Sequence, residues 1–238
     1  MNLSTRLLGY VETAKLTRFS ILKGLSGTTD NSLRVVLNRL VKQGRIYNPA
    51  RGVYAAKDAD PFWVATAIFP GYISLSSAFY LNSLIDEYPF TLFVASQVRE
   101  SIRMGGQEFL YFKARNYIGV VDGRYRVACV EKAICDSLHH LDLVGAPVLA
   151  RVLYHAGIDY GKFAAISSGE SSAFFQRLGY LLSILPSLSA DKRRLAALCA
   201  ERRKANAYLQ GRGRGNYVKE WKLIDNIGKE VLLAWQHQ

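Results

Sequence analysis

Cysteine is scarce in this sequence. Its 238 residues include only Cys129, Cys135 and Cys199, and none of these belongs to a CxxC pair. An odd number of separated cysteines argues against a disulfide framework or a zinc site, so we interpret all three as reduced core residues. We therefore expect neither a bound metal ion nor another cofactor.

Long apolar runs are also absent from the sequence. No stretch reaches the ~18 residues that a membrane-spanning helix requires. Residues 1–15 lack the apolar core and cleavage site of a signal peptide. These two absences predict a cytoplasmic protein with no membrane partner. Neither an internal repeat nor a long low-complexity linker is visible.

Positive charge is abundant and unevenly distributed. The formal net charge is +12, with 31 Lys and Arg against 19 Asp and Glu. Residues 1–60 contain 10 basic and 4 acidic side chains, residues 61–145 contain 7 and 8, and residues 146–238 contain 14 and 7. Two basic ends around a neutral middle indicate localised surfaces that bind polyanions. Charge alone does not show whether the polyanion is a nucleic acid or an anionic membrane.

The chain is predicted to be an α+β protein of two domains. Half of its residues are hydrophobic, which is enough for a sizeable core. The segment 56–62 combines charge, a turn-forming Asp and a Pro, so we place the boundary there. Residues 1–57 are predicted to form a winged helix-turn-helix. Residues 58–238 are predicted to form a larger mixed α+β domain with a small sheet and a helical C-terminal part.

The winged-helix prediction rests on the order of patterns in the first 56 residues. Helical spacing in residues 3–12 predicts a first helix, and Thr17 is expected to cap a second helix that ends near Gly24 or Gly27. A third helix is expected after Thr28 or Thr29, with Asp30 in its first turn and Gly44 at its end. Two strands, 45–47 and 52–54, are expected to flank a loop at 48–51.

The polar face of the third helix suits the reading of DNA. Asn31, Arg34 and Asn38 are spaced by three and four residues, and such side chains make paired contacts with adenine and guanine edges. Lys42 and Arg45 are expected to bind phosphates, as is Thr29, and Arg51 is expected to act from the wing. The complete predicted DNA-binding set is Thr29, Asn31, Arg34, Val35, Asn38, Arg39, Lys42, Arg45 and Arg51.

Two simpler interpretations of this segment stay open. A charged helix face is often merely solvated, and many winged helices bind protein instead of DNA. The combination of a capped third helix, an Asn/Arg face, a glycine stop and a basic hairpin favours DNA reading, as does the positive charge of residues 1–60.

No catalytic site is expected in the second domain, so the chain is not predicted to be an enzyme. Ser74, Ser76 or Ser77 is interpreted as the cap of a helix, because no GxSxG motif surrounds these serines. Glu108 and Lys113 are interpreted as strand surface residues. The remaining titratable residues, Glu131, Asp136, His139 and His140, lack metal-binding spacing, and Asp136 is expected to pair with His140.

A second basic patch is expected near the C-terminus. Residues 189–221 combine a predicted basic helix with the sequence GRGRG, which lacks the ending of a phosphate-binding loop. This patch could contact flanking DNA, a protein or RNA. Its predicted members are Lys192, Arg193, Arg194, Arg203, Lys204, Arg212 and Arg214.

Four segments in this order resemble the AbiE-type abortive-infection antitoxins, which are also transcriptional regulators of type IV toxin–antitoxin systems. They are GRIY with RGVY (residues 44–47 and 51–54), YISLSSAFYL (72–81), VACVEKAICDSL (127–138) and FQRLGYLLSIL (175–185). The resemblance extends from about residue 5 to about residue 190. Each motif is modestly specific, and their order carries the likeness.

The resemblance implies a repressor that binds paired repeats in double-stranded DNA at its own operon. It also implies a C-terminal domain that counteracts a co-encoded nucleotidyltransferase toxin, and it leaves direct contact with that toxin open. Two other functions are kept as alternatives. One is a protein-interaction module that inhibits a partner through the C-terminal domain, and the other, ranked lower, is a nuclease.

Overall fold

The computed structural model describes residues 2–237 and shows a mixed α+β fold, as the sequence predicts. The α-helices are α1 (Leu3–Ala14), α2 (Phe19–Ser26), α3 (Asp30–Lys42), α4 (Pro61–Ile68), α5 (Leu75–Leu81), α6 (Val130–His139), α7 (Leu141–Val144), α8 (Ala146–His155), α9 (Tyr160–Ile166), α10 (Ser172–Ser183), α11 (Ala190–Glu201) and α12 (Lys229–Leu232).

Twelve strands and two short 3₁₀ helices complete the described elements. The strands are β1 (Leu16–Arg18), β2 (Ile46–Ala50), β3 (Val53–Ala56), β4 (Gly71–Ile73), β5 (Thr91–Ser96), β6 (Glu100–Met104), β7 (Gln107–Lys113), β8 (Val120–Asp122), β9 (Arg126–Ala128), β10 (Ala207–Tyr208), β11 (Asn216–Val218) and β12 (Leu223–Asp225). The 3₁₀ helices are η1 (Lys219–Trp221) and η2 (Ala234–His237).

The chain divides into two compact units that do not follow one cut in the sequence. The first contains the described residues up to Ile73, together with Phe90–Arg115 and Gly123–Arg126. The second contains Ser74–Pro89, Asn116–Asp122 and the described residues from Val127 onward. The boundary predicted at residues 57 and 58 lies within the first unit and stays a prediction.

The first helix has both a capping residue and a buried apolar face. Asn2 caps α1, since its Oδ1 accepts from Thr5 N at 2.8 Å. Leu7, Leu8 and Val11 are buried on one face of that helix. Arg6 donates to the carbonyls of Leu25 and Ser26. These carbonyls lie at the C-terminus of α2, where carbonyl groups have no hydrogen-bond donor within the helix.

A three-stranded sheet of order β1-β3-β2 accompanies these helices. The strand β1 is absent from the sequence-based prediction, and it corrects the role given to Thr17. That residue lies in β1 opposite Tyr54 and is buried, so it does not cap α2. The helix instead begins after Arg18, without a side-chain cap, and ends at the left-handed Gly27.

The first unit also contains four strands of order β6-β7-β5-β4. β5 and β7 run parallel, with Thr91 opposite Glu108 and Ser96 opposite Lys113, and the other two neighbouring pairs are antiparallel. Tyr111 on β7 donates its hydroxyl to Ala65 O at 2.7 Å, which ties this sheet to α4.

The second unit is mainly helical and has a buried polar centre on α6. Asp136 accepts from Lys132 Nζ and from Ser74 Oγ, each at 2.8 Å, and all three side chains are buried. Ser74 is the N-cap residue of α5, as predicted, but its side chain makes no capping hydrogen bond with that helix. Asp136 pairs inside the core with Lys132 on the preceding turn. The predicted pair of Asp136 with His140 stays a prediction.

Candidate nucleic-acid interface

The N-terminus of α3 is fixed by two contacts. Thr29 is the N-cap, and its Oγ1 accepts from Ser32 N at 3.3 Å, as predicted. Asp30 follows in the first turn and forms a 2.8 Å ion pair with Lys23 of α2. The hydrogen bond from Lys23 holds the pKa of Asp30 below its usual value. The start of the helix is thereby anchored to the helix that precedes it.

The buried and exposed faces of α3 follow the predicted periodicity. Leu33, Leu37 and Leu40 are buried. At about 100° per residue, the direction opposite this stripe is occupied by side chains spaced by four, three and four. Those side chains are exposed, and Val35 is 58% exposed; they are Asn31, Val35, Asn38 and Lys42.

Arg39 lies beside this outward row and widens it. Together with Val35, Asn38, Lys42 and Gln43, it lines a shallow, open depression on the helix surface. An apolar side chain between amides and cations is suited to a surface that meets both base edges and phosphates. The structure thus brings five of the nine predicted residues onto one helix face: Asn31, Val35, Asn38, Arg39 and Lys42.

Arg34 occupies the edge of this face instead of its centre. Its guanidinium lies over the ring of Phe19, 4.8 Å from the ring centroid. Burial raises the pKa of Tyr54, and the positive charge of Arg34 opposes that increase, which places the guanidinium near the hairpin as well. Arg34 is therefore exposed but oriented by an aromatic neighbour that the sequence-based prediction did not include.

The hairpin after α3 is tighter than predicted. β2 continues through Asn48 and Pro49 to Ala50, so the predicted loop at 48–51 is wrong. Asn48 Nδ2 donates to Ala50 O at 2.8 Å and to Val53 O at 2.7 Å, while an irregularity in the strand accommodates Pro49. The turn consists of Arg51 and Gly52, and Gly52 adopts a φ of 71°.

Five basic side chains on α3 and the hairpin have no carboxylate partner at ion-pair distance among the described residues. In residues 2–237, no ion pair involves Arg34, Arg39, Lys42, Arg45 or Arg51. Arg45 is exposed immediately before β2, and Arg51 is exposed at the tip of the hairpin. A cluster of cations without carboxylate partners attracts a polyanion and makes its binding sensitive to salt.

Lys192 does not belong to the second basic patch at the protein surface. It is 6% exposed, and its Nζ donates to Tyr154 O at 2.7 Å. Burial lowers the pKa of its ammonium group. Lys192 shares a helical stripe with the buried Leu195 and Cys199, so the packing of α11 turns it inward.

The other predicted patch residues are distributed over several local environments. Arg193 is exposed and donates to Leu188 O, and Arg194 lies over the Tyr160 ring at 4.3 Å. Arg203 is half-buried and lies over the Trp221 ring at 5.3 Å. Lys204, Arg212 and Arg214 are exposed. Two exposed lysines that the prediction omitted, Lys219 and Lys222, line a depression with Arg203.

The residues considered for catalysis have structural partners. Glu108 on β7 accepts from Ser101 Oγ at 2.8 Å and from Thr91 Oγ1 at 3.1 Å. His139 Nε2 lies 2.8 Å from Glu170 Oε2, which is within ion-pair distance. Across residues 2–237, no group of three or more His, Cys, Asp and Glu side chains has a metal-binding arrangement.

Arg177 contacts backbone carbonyls of its own unit. Its Nε donates to Tyr208 O at 2.9 Å and its Nη1 to Leu138 O at 3.3 Å.

Among the helices of residues 2–237, none has the length and hydropathy needed to cross a membrane.

Comparisons with known proteins show a similar fold among the solved structures. The crystal structure of the RV2827C protein from Mycobacterium tuberculosis matches with a TM-score of 0.68 and 15% sequence identity. The match covers 99% of this chain and 95% of that chain. No protein-family model and no curated protein matches the sequence. The similarity therefore shows that the two chains share a fold over nearly their full length.

Proposed function

We propose that this protein is a DNA-binding transcriptional regulator. In this proposal α1, α2, α3 and the sheet β1-β3-β2 form a winged helix-turn-helix, in which α3 enters the major groove and the β2–β3 hairpin is the wing. The observation that carries the proposal is the outward face of α3, on which amides and unpaired cations surround the exposed Val35.

Each side chain has a role that its position allows. Asn31 and Asn38 are placed to make paired contacts with adenine, and Val35 is placed to contact a thymine methyl group. Arg34 reaches a guanine from the edge of the helix. The phosphate contacts come from Thr29, Arg39, Lys42 and Arg45, and Arg51 extends the interface from the wing.

We further propose that the regulator represses its own operon and acts as a cytoplasmic antitoxin. The support for this role is the resemblance of four ordered sequence segments to AbiE-type proteins. The operator would contain paired repeats, and the second unit would counteract a nucleotidyltransferase encoded beside this chain. No catalytic step is assigned to the protein itself.

The first experiment is a salt-titrated fluorescence anisotropy assay on DNA from upstream of the protein's own gene. Scrambled DNA of equal length measures the sequence-independent part of the affinity. Asn38→Ala should weaken binding to the upstream DNA by roughly tenfold, since a paired base contact contributes about 1–3 kcal/mol of discrimination. Lys42→Ala should weaken binding to both DNAs and reduce the salt dependence by about one phosphate contact.

Lys162→Ala is the matched control, because Lys162 is an exposed cation on α9 in the second unit. It should leave both affinities unchanged. Equal binding of the wild type to upstream and scrambled DNA at every salt concentration would overturn the role as a sequence reader. Specific binding together with unchanged growth inhibition by the neighbouring nucleotidyltransferase would retain the regulator and remove the antitoxin role.

A further inference from the structure

The small sheet β10-β12-β11 of the second unit presents an ordered row of side chains. Tyr208 of β10 lies opposite Ile224 of β12, and Ile224 lies opposite Tyr217 of β11. Cross-strand partners in register project from the same face of a sheet. Two tyrosines therefore flank an isoleucine on one face, with neighbouring strands about 4.8 Å apart. We call Tyr208, Ile224 and Tyr217 the aromatic row.

The aromatic row lies on the more open face of this sheet. The alternating positions Ala207, Leu223 and Asp225 are buried, which places the core on the opposite face. Tyr217 is 53% exposed, and Tyr208 and Ile224 are half-buried. The hydroxyl of Tyr217 donates to Asn206 Oδ1 at 3.2 Å, so the exposed ring has a defined position.

Cations lie on both sides of the aromatic row, before and after the strands that carry it. Arg212 and Arg214 precede β11, and Lys219 follows it. Lys222 precedes β12 on the Lys219 side, where its Nζ donates to Lys204 O at 3.1 Å. Residues 202–222 contain seven Lys and Arg side chains against a single acidic one, Glu220. None of these cations forms an ion pair with another described residue.

The loop that carries Arg212 and Arg214 is held against β12. A Cβ added to Gly215 would lie 2.2 Å from Asp225 O, so only glycine permits this close approach. The side chain of Asn226 accepts from Gln210 N at 3.2 Å and donates to Gln210 O. Asp225 in turn accepts from Tyr180 Oη at 2.5 Å. The contacts of Gly215 and Gln210 with β12 and Asn226 therefore fix both ends of the loop that carries the two arginines.

We propose that the aromatic row and its flanking cations bind single-stranded nucleic acid. Bases stack on the exposed face of Tyr217 and beside Tyr208. Phosphates contact Arg212 and Arg214 on one side of the row and Lys219 and Lys222 on the other. A duplex supplies the same phosphates, but its base faces are already stacked and cannot cover the row. This site is separate from the α3 surface and does not depend on the function proposed for it.

The test uses the full-length protein and a short fluorescein-labelled RNA of mixed sequence without self-complementarity. Tyr217→Ala should weaken binding by about tenfold, within the range expected when one stacking ring is lost. Tyr217→Phe should bind within about twofold of the wild type, because it keeps the ring and loses only the contact with Asn206. Replacing Arg212 and Arg214 together by Ala should lower the slope of log affinity against log salt by about 1.4, or 0.7 per phosphate contact.

Three controls separate this proposal from its competitors. Single-stranded DNA of the same sequence shows whether the surface distinguishes DNA from RNA. The same variants should also bind this DNA more weakly than the wild type does. Lys229→Ala removes an exposed cation outside residues 202–222 and should leave binding unchanged. Asn38→Ala on α3 should affect the upstream duplex alone, so the two functional proposals fail independently.

The opposing outcomes are equally specific. Unchanged RNA affinity in Tyr217→Ala, or equal losses in Tyr217→Ala and Tyr217→Phe, would overturn stacking on the row. If a duplex of the same sequence competed with the labelled RNA as well as single-stranded RNA does, the surface would bind nucleic acid only through nonspecific electrostatic attraction. Tighter binding to vesicles containing phosphatidylserine than to RNA would assign the surface to an anionic membrane instead.

Discussion

The guanidinium of Arg34 lies over the ring of Phe19 at 4.8 Å, so a residue of α2 orients a candidate base-reading side chain of α3. Such a contact contributes about 0.5–1 kcal/mol at an exposed position. It also limits the rotamers of a long side chain before DNA is bound, which lowers the entropy lost on binding. The pair therefore couples the packing of two helices to the proposed recognition of DNA.

We predict that Phe19→Leu weakens binding to the upstream DNA less than Arg34→Ala does, by roughly threefold against about tenfold or more. The leucine keeps an apolar contact but removes the ring that orients Arg34, whereas Arg34→Ala removes about 1–3 kcal/mol of a paired guanine contact. The double variant should bind like Arg34→Ala in the same anisotropy assay. Additive losses would show that Phe19 does not act through Arg34.

Thr29 is predicted to stabilise the first unit as the N-cap of α3. Thr29→Ala should lower the free energy of unfolding by about 1 kcal/mol, because the N–H of Ser32 loses its acceptor. Thr28→Ala is the matched control, since Thr28 precedes the cap and gives the helix no side-chain acceptor. Urea denaturation followed by circular dichroism measures both variants. Equal effects of the two substitutions would contradict the capping role.

The sequence predicts the elements whose signals are local. The capping residue, the buried leucines and the polar face of α3 all lie within one short segment, and the structure agrees with them. β1 was missed because it has three residues, and its partner β3 is more than 30 positions away. The turn at Arg51 and Gly52 depends on the contacts of Asn48 with Ala50 and Val53, which residue preferences alone do not reveal.

The candidate sites show the same division between local and non-local information. The exposed positions of α3 follow from helical periodicity, but the location of Arg34 over Phe19 depends on how two helices pack. Lys192 was assigned to the surface from its charge, although its spacing to Leu195 and Cys199 indicates the buried stripe. The aromatic row could not be predicted, because it requires the register of three strands separated by loops.

We predict that Lys192 affects stability and not the binding of nucleic acid. Lys192→Ala should lower the free energy of unfolding by about 1–3 kcal/mol, since it leaves Tyr154 O without its donor and removes a packed stem. The neighbouring exposed Arg193→Ala should change it by about 0.5 kcal/mol or less. Urea denaturation tests the stabilities, and anisotropy with folded protein tests both ligands. Lost RNA or DNA affinity in Lys192→Ala would return this residue to the binding surface.

The buried thiol of Cys199 makes stability fall at alkaline pH. Burial raises the pKa of this thiol from 9.0 to about 12. In the unfolded chain the thiol releases its proton near its ordinary pKa, whereas the folded protein retains it up to the higher value. The stabilising contribution is therefore complete below pH 9 and is lost as the pH rises towards 12.

Between pH 8 and pH 10, this group alone should reduce the free energy of unfolding by about 1 kcal/mol. Burial also raises the pKa of Cys135, so the wild type should lose more than this amount over the same range. Cys199→Ala will be less stable at both pH values because of the cavity it leaves, but its loss between them should be smaller by about 1 kcal/mol. Urea denaturation of both proteins at pH 8 and pH 10 measures this difference. Parallel losses in the two proteins would show that Cys199 releases its proton at the same pH in the folded and the unfolded chain.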